Sequence, residues 1–91
     1  MAFMVMNLET PGYDEWKGMF DSDPVGRKDA AKGHILLRSV DNPNEVFVRV
    51  EFGSVEDAKA FRQRLLDSGV LSRSTIKAGP TVVEAVEQID Y

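Results

Sequence analysis

The sequence predicts an α+β domain with the order β-α-β-β-α-β and a four-stranded antiparallel sheet. Three observations carry that reading. Four short runs rich in strand formers are separated by clusters of turn residues. Two other segments carry apolar residues at i, i+3 and i+7, the period of a helix lying on a core. The chain has 91 residues, enough for one core and too few for two, so residues 1–91 form a single domain.

The elements follow in order. The first strand is Ala2-Phe3-Met4-Val5-Met6-Asn7-Leu8, stopped by Pro11-Gly12. The first helix carries Tyr13, Trp16 and Phe20 on one stripe, with Asp14 and Glu15 in the first turn, where the helix dipole favours negative charge. Gly18 inside this helix costs about 1 kcal/mol relative to Ala, so the helix depends on packing. Asp23-Pro24 is expected to open a short second helix, Asp as N-cap and Pro in the first position. Gly33 to Val40 and Glu45 to Phe52 form a hairpin across Asp41-Asn42-Pro43-Asn44. Ser54-Val55-Glu56-Asp57 resembles a capping box, and its helix carries Ala58, Phe61 and Leu65. Gly69 suits the left-handed position that ends such a helix, with Val70 closing back on Leu65. Residues 71 to 80 are expected to be irregular, with Gly79-Pro80 as a stop, and Thr81 to Asp90 to form the last strand.

Strand periodicity assigns two faces. The set Met4, Met6, Leu8; Ile35, Leu37; Val46, Val48, Val50, Phe52; and Val83, Ala85, Ile89 is expected beneath the two helices. The other set is Phe3, Val5, Asn7; His34, Leu36, Arg38; Phe47, Arg49, Glu51; and Val82, Glu84, Val86, Gln88. It mixes large apolar groups with chargeable ones, whereas a face wetted only by solvent reads more polar. Two helices cover one face of a sheet. A second copy of the chain is the simplest cover for the other, so a homodimer through the sheet face is expected.

Composition excludes several classes. There is no Cys, hence no disulfide, thiolate metal site, cysteine nucleophile or iron–sulfur cluster. Eleven Lys plus Arg against fifteen Asp plus Glu give a net charge of −4, the wrong sign for a nucleic-acid partner. The central strands also lack the paired aromatic and basic groups of an RNA-binding sheet. No apolar run approaches the roughly 20 residues of a membrane span, and no basic segment precedes an apolar leader. A cytoplasmic protein is the resulting expectation. One His makes no metal site, and the Ser residues have no credible triad partners. Gly26 and Gly33 lie too far apart to make a phosphate loop.

The residues Tyr13, Trp16 and Phe20, then Arg38 leading into Asp41-Asn42-Pro43-Asn44-Glu45, continue with Glu51-Phe52, Ser54, Asp57-Ala58 and Phe61. In this pattern the sequence resembles the dimeric α/β-barrel superfamily, which includes antibiotic-biosynthesis-monooxygenase-like and cyclase-like small proteins. The resemblance spans nearly the whole chain and rests on structural motifs. It implies a ferredoxin-like fold whose sheets pair face to face, with ligands between sheet and helices or near the barrel mouth. It also implies a range of activities among members: cofactor-free monooxygenases, haem-degrading enzymes, dismutases and isomerases.

Candidate chemistry divides into two groups. His34, Asn7, Arg49 and Glu51 are the candidate catalytic residues. Arg49 is suited to stabilising developing negative charge, and Glu51 or His34 to moving a proton. The competing reading is a set of cross-strand and intersubunit ion pairs that fix dimer register. Trp16, Tyr13, Phe20, Arg38 and Phe47 are the candidate ligand-binding residues, for a small apolar, aromatic or polyketide-like molecule. Against this, the same helix stripe is what any amphipathic helix needs for its core. Arg27-Lys28 and Lys32 form a small basic cluster, read either as a guide for an anion or as a solvated face. No cofactor is expected, and haem binding through His34 stays open. The functional expectation is a homodimeric ligand-binding protein with a cofactor-free monooxygenase- or cyclase-like activity. The alternative is a non-catalytic structural or regulatory module whose barrel is filled by side chains.

Overall fold

The computed structural model describes residues 1–91. Its elements are β1 (Ala2–Glu9), α1 (Tyr13–Asp21), α2 (Arg27–Ala30), β2 (Gly33–Arg38), β3 (Glu45–Phe52), α3 (Val55–Ser68), a 3-10 turn (Val70–Arg73) and β4 (Thr75–Glu84). One four-stranded sheet has the order β2-β3-β1-β4, with every neighbouring pair antiparallel. This is the ferredoxin-like arrangement: the segment containing α1 links β1 to β2 across β3, and α3 links β3 to β4 across β1. No helix is long and apolar enough to cross a membrane.

The two central strands explain the core. Along β1 burial alternates perfectly, with Ala2, Met4, Met6 and Leu8 buried. Val46, Val48, Val50 and Phe52 of β3 lie directly opposite them. Trp16 and Phe20 of α1 and Ala58, Phe61 and Leu65 of α3 close over that side. Ser54 Oγ accepts from Asp57 N–H at 3.1 Å to start α3, and Gly69 ends it at φ 73°. The N-terminus of α1 is held from a distance: Asn44 Oδ1, in the β2–β3 turn, accepts from Tyr13 N–H at 3.1 Å.

Four expectations are corrected. First, β4 runs from Thr75 to Glu84, so residues 75 to 80 are strand and 85 to 90 are not. Gly79-Pro80 does not stop the strand because β4 is at the sheet edge. There a β-bulge absorbs the extra residue and the missing proline donor breaks no inner ladder. Second, the phase of β2 is reversed. His34, Leu36 and Arg38 pair with the buried Val50, Val48 and Val46 and lie on the helix side, while Ile35 and Leu37 lie on the open face. The run Ile35-Leu36-Leu37 has no alternation of its own, so pairing with β3 decides its phase. Third, the phase of β4 is reversed: Val82 pairs with Met4 on the helix side, Val83 with Phe3 on the open face, and Ala85 and Ile89 are exposed. Fourth, the short helix begins at Arg27. Gly26, not Asp23, is its N-cap, and Pro24 lies before it; the Asp23 carboxylate reaches the first turn from upstream, accepting from Arg27 N–H at 2.7 Å and Lys28 N–H at 3.2 Å.

Candidate functional site

The reversed phases make the open face of the sheet more apolar than expected. It gathers Phe3, Val5 and Asn7 from β1, Ile35 and Leu37 from β2, and Phe47, Arg49 and Glu51 from β3. Ala78, Thr81 and Val83 come from β4. Ile35, Leu37 and Phe47 are 42%, 57% and 40% exposed, which is high for large apolar groups lying side by side.

Across the middle of this face runs a groove of about 320 Å³, walled by Val5, Leu37, Phe47, Arg49 and Thr81, with Asn7 in its floor. The bulge in β4 shapes one bank. Ala78 faces Asn7 and Thr81 faces Val5, so Gly79 and Pro80 bow out of the ladder between them. Only glycine fits that bow. Gly79 has φ 79°, and a Cβ there would stand 2.5 Å from the Val5 carbonyl oxygen.

Two polar groups stand in the groove. Asn7 borders it with an amide whose Oδ1 is shut off from solvent and accepts no hydrogen bond from the chain, an arrangement that costs free energy. The Arg49 guanidinium lies 5.3 Å from the Phe3 ring centroid and makes no salt bridge within the protomer. Glu51, two residues along β3, lines an adjoining depression with Phe3, Ile35 and Arg49. An amide side chain in an apolar lining beside an uncommitted cation can orient a flat molecule that carries an electron-rich oxygen.

The sheet therefore divides the residues singled out from sequence. Asn7, Phe47, Arg49 and Glu51 share the open face. His34, Arg38, Tyr13, Trp16 and Phe20 belong to the helix side. There Trp16 stacks on Phe20 at 5.1 Å between centroids, and His34 meets Phe20 edge-on, also at 5.1 Å. The Arg38 guanidinium covers the Tyr13 ring at 4.5 Å. The cavity enclosed between α1, α3 and the sheet, bordered by Trp16 and Phe20, is only about 50 Å³, and its lining is mostly apolar. Leu37, Ala78 and Thr81 of the groove were missed by sequence reasoning. The alternation Thr75-Ile76-Lys77-Ala78 was the available signal for β4, masked by the Gly-Pro pair that follows it.

Sheet order, register and the single covered face define an α+β protein of the ferredoxin-like type. A scan against protein-family models finds no match, and a search of curated proteins finds none. Among solved structures, one from Nitrosomonas europaea described as "Putative antibiotic biosynthesis monooxygenase" has the same fold. Its TM-score is 0.56 at 11% identity, over 96% of this chain and 100% of that one. The likeness is one of fold, the same ferredoxin-like arrangement of sheet and helices.

Proposed function

We propose that this chain acts as a homodimer whose two open sheet faces close on each other. Between them it binds a small aromatic or polyketide-like molecule against Asn7 and Arg49. The observation that carries the reading is an apolar groove several hundred cubic ångströms in size whose lining includes the Asn7 amide and the Arg49 guanidinium. The Nitrosomonas europaea structure gives the chemical direction, a monooxygenase-like reaction, as a likeness of fold. In a cofactor-free version of that reaction dioxygen is the oxidant and the substrate's own phenolate or enolate is the electron donor, one oxygen atom entering the product as a carbonyl and the other leaving as water. The chain's task is then to orient that anion and hold its charge. The Asn7 amide N–H donates to the substrate oxygen, Arg49 stabilises the developing oxyanion, and Glu51 moves the proton. His34 lies on the helix side of the sheet and takes no part in this groove.

The test is binding of 1-naphthol, a flat apolar probe with one O–H, followed by its fluorescence together with sedimentation velocity. Wild type is expected to be dimeric and to bind the probe, with Asn7→Ala and Arg49→Gln dimeric but weakened in binding. A dimer that binds no probe would instead support the second reading, a non-catalytic module with a barrel filled by side chains. The tight helix-side cavity of about 50 Å³ is the observation in that reading's favour.

A further inference from the structure

The corrected phase of β2 moves the one histidine of the chain out of the open face and into its basic corner. His34 leaves β2 on the helix side, where Arg27, Lys28 and Lys32 already converge from α2 and the segment behind it. Together with Ala31 and Gly33 these four side chains line a depression of about 180 Å³. That is room for several waters, each needing roughly 10–15 Å³ by the same measure.

The corner is more than a solvated lysine patch, because its back wall is built. The Arg27 side chain is 9% exposed, and its guanidinium is fixed on three sides. Nη1 donates to the Phe20 carbonyl at 3.2 Å, the plane lies 3.7 Å from the Phe20 ring centroid, and an Asp23 carboxylate oxygen stands 4.0 Å away. Only one of its five N–H donors is used, which leaves a rigid, pre-oriented fork. Phe20 also packs edge-on against His34, so one aromatic ring sets the positions of both side chains.

The charges facing this corner do not cancel. From α1 come Lys17 and Asp21, paired with each other at 2.7 Å. Asp23 spends its oxygens on the N–H groups of Arg27 and Lys28 and on the distant Arg27 contact. Glu51, on the other face of the sheet, meets His34 only at the edge, where both border the neighbouring depression. Neither Lys28 nor Lys32 has an acidic partner within salt-bridge distance. In a chain of net charge −4, this is a local concentration of positive charge with an exposed rim and a buried base.

We propose that Arg27, Lys28, Lys32 and His34 form a binding site for a phosphate group, independent of the groove on the opposite face of the sheet. Arg27 supplies the fixed fork, the two lysines close over the anion, and protonated His34 adds a donor and a charge as the anion arrives. The group belongs either to free phosphate or to a phosphomonoester.

The experiment uses the single imidazole signal. His34 is titrated by NMR in the full chain in chloride, then at equal ionic strength with inorganic phosphate, and again with phenyl phosphate. A dianion ~6 Å from the ring is expected to raise the His34 pKa by about one pH unit. Lys28 and Lys32 are exposed, so the doubly substituted K28Q/K32Q chain is expected to fold and to lose the rise. A response to phosphate alone identifies the free ion, and a response to phenyl phosphate at lower concentration identifies a phosphomonoester. A His34 titration that is the same in all three solutions overturns the site. So does a rise that survives in K28Q/K32Q.

Discussion

The bulge at Gly79 allows the register of β4 to be tested by one methyl group. Gly79→Ala places a Cβ 2.5 Å from the Val5 carbonyl oxygen, 3.0 Å from Thr81 N and 3.2 Å from Met6 Cα, all of them backbone atoms. None can swing aside as a side chain does, so β1 and β4 must part locally. The left-handed φ of 79° adds roughly 1–2 kcal/mol for any residue with a Cβ. With the displacement the cost should be about 2–4 kcal/mol, within the range of severe single substitutions. A domain of this size has a total stability of roughly 5–14 kcal/mol and loses about 4–8 °C in Tm for each kcal/mol. A fall of about 8–32 °C is therefore expected in a circular-dichroism melt. The same substitution at Gly18 supplies the control. Gly18 is exposed in the middle of α1 with nothing within 4 Å of an added Cβ, so Gly18→Ala should stabilise by about 0.5–1 kcal/mol. The reasoning fails if the two variants melt together, or if Gly79→Ala melts within a few degrees of wild type.

Three further outcomes are expected. Phe47→Glu should shift sedimentation toward the single-chain species; covering its 40% exposed ring, roughly 80 Å² on each protomer, contributes at most about 4 kcal/mol to pairing, or nearly three decades in Kd. Ser54→Ala removes the acceptor for Asp57 N–H and should cost about 1 kcal/mol, read from denaturant midpoints at unchanged m. His34 is held below its ordinary pKa by desolvation against Phe20 and then by Arg27, Lys17 and Lys28, with Asp21 opposing. Near pH 6.5 the unfolded chain therefore binds more protons than the folded one, and stability should fall as the solution is acidified from pH 7 through the unfolded and then the folded pKa of His34. His34→Gln should flatten that part of the stability–pH curve, and an unchanged slope would contradict the assignment.

Much of the fold was legible because its central strands speak unambiguously. β1 and β3 alternate residue by residue, and α1 and α3 repeat at helical period, so their buried faces could be read directly. The edge strands were harder for a physical reason. Ile35-Leu36-Leu37 is apolar on both faces of β2, and only hydrogen bonding to β3 says which side each residue takes. β4 contains a Gly-Pro pair that would end an inner strand, and its tolerance depends on the sheet order, a non-local fact. The candidate site inherited both errors. Asn7, Phe47, Arg49 and Glu51, all on central strands, were grouped correctly on one face, while His34 and Arg38, on an edge strand, were placed on the wrong one.

That reversal strengthens the case for a partner while removing one residue from the groove. With the expected phase, the open face would have carried His34 and Arg38; with the observed one it carries Ile35 and Leu37 in their place. Only 15 of the 91 residues are buried in the protomer, because a sheet covered on one side has half an interior. The uncovered half has alternating apolar rows, an exposed aromatic ring and a polar atom without a partner, which are properties of an inner face. A surface of this kind left in water would favour non-specific association, and the regular register of β1 and β3 offers a two-fold alternative in which the faces cover each other. Asn7 and Arg49 would then lie near the seam, so binding in the groove should weaken in step with dimer dissociation. Measuring 1-naphthol binding across a dilution series tests this coupling: affinity independent of protein concentration would separate the groove from the interface.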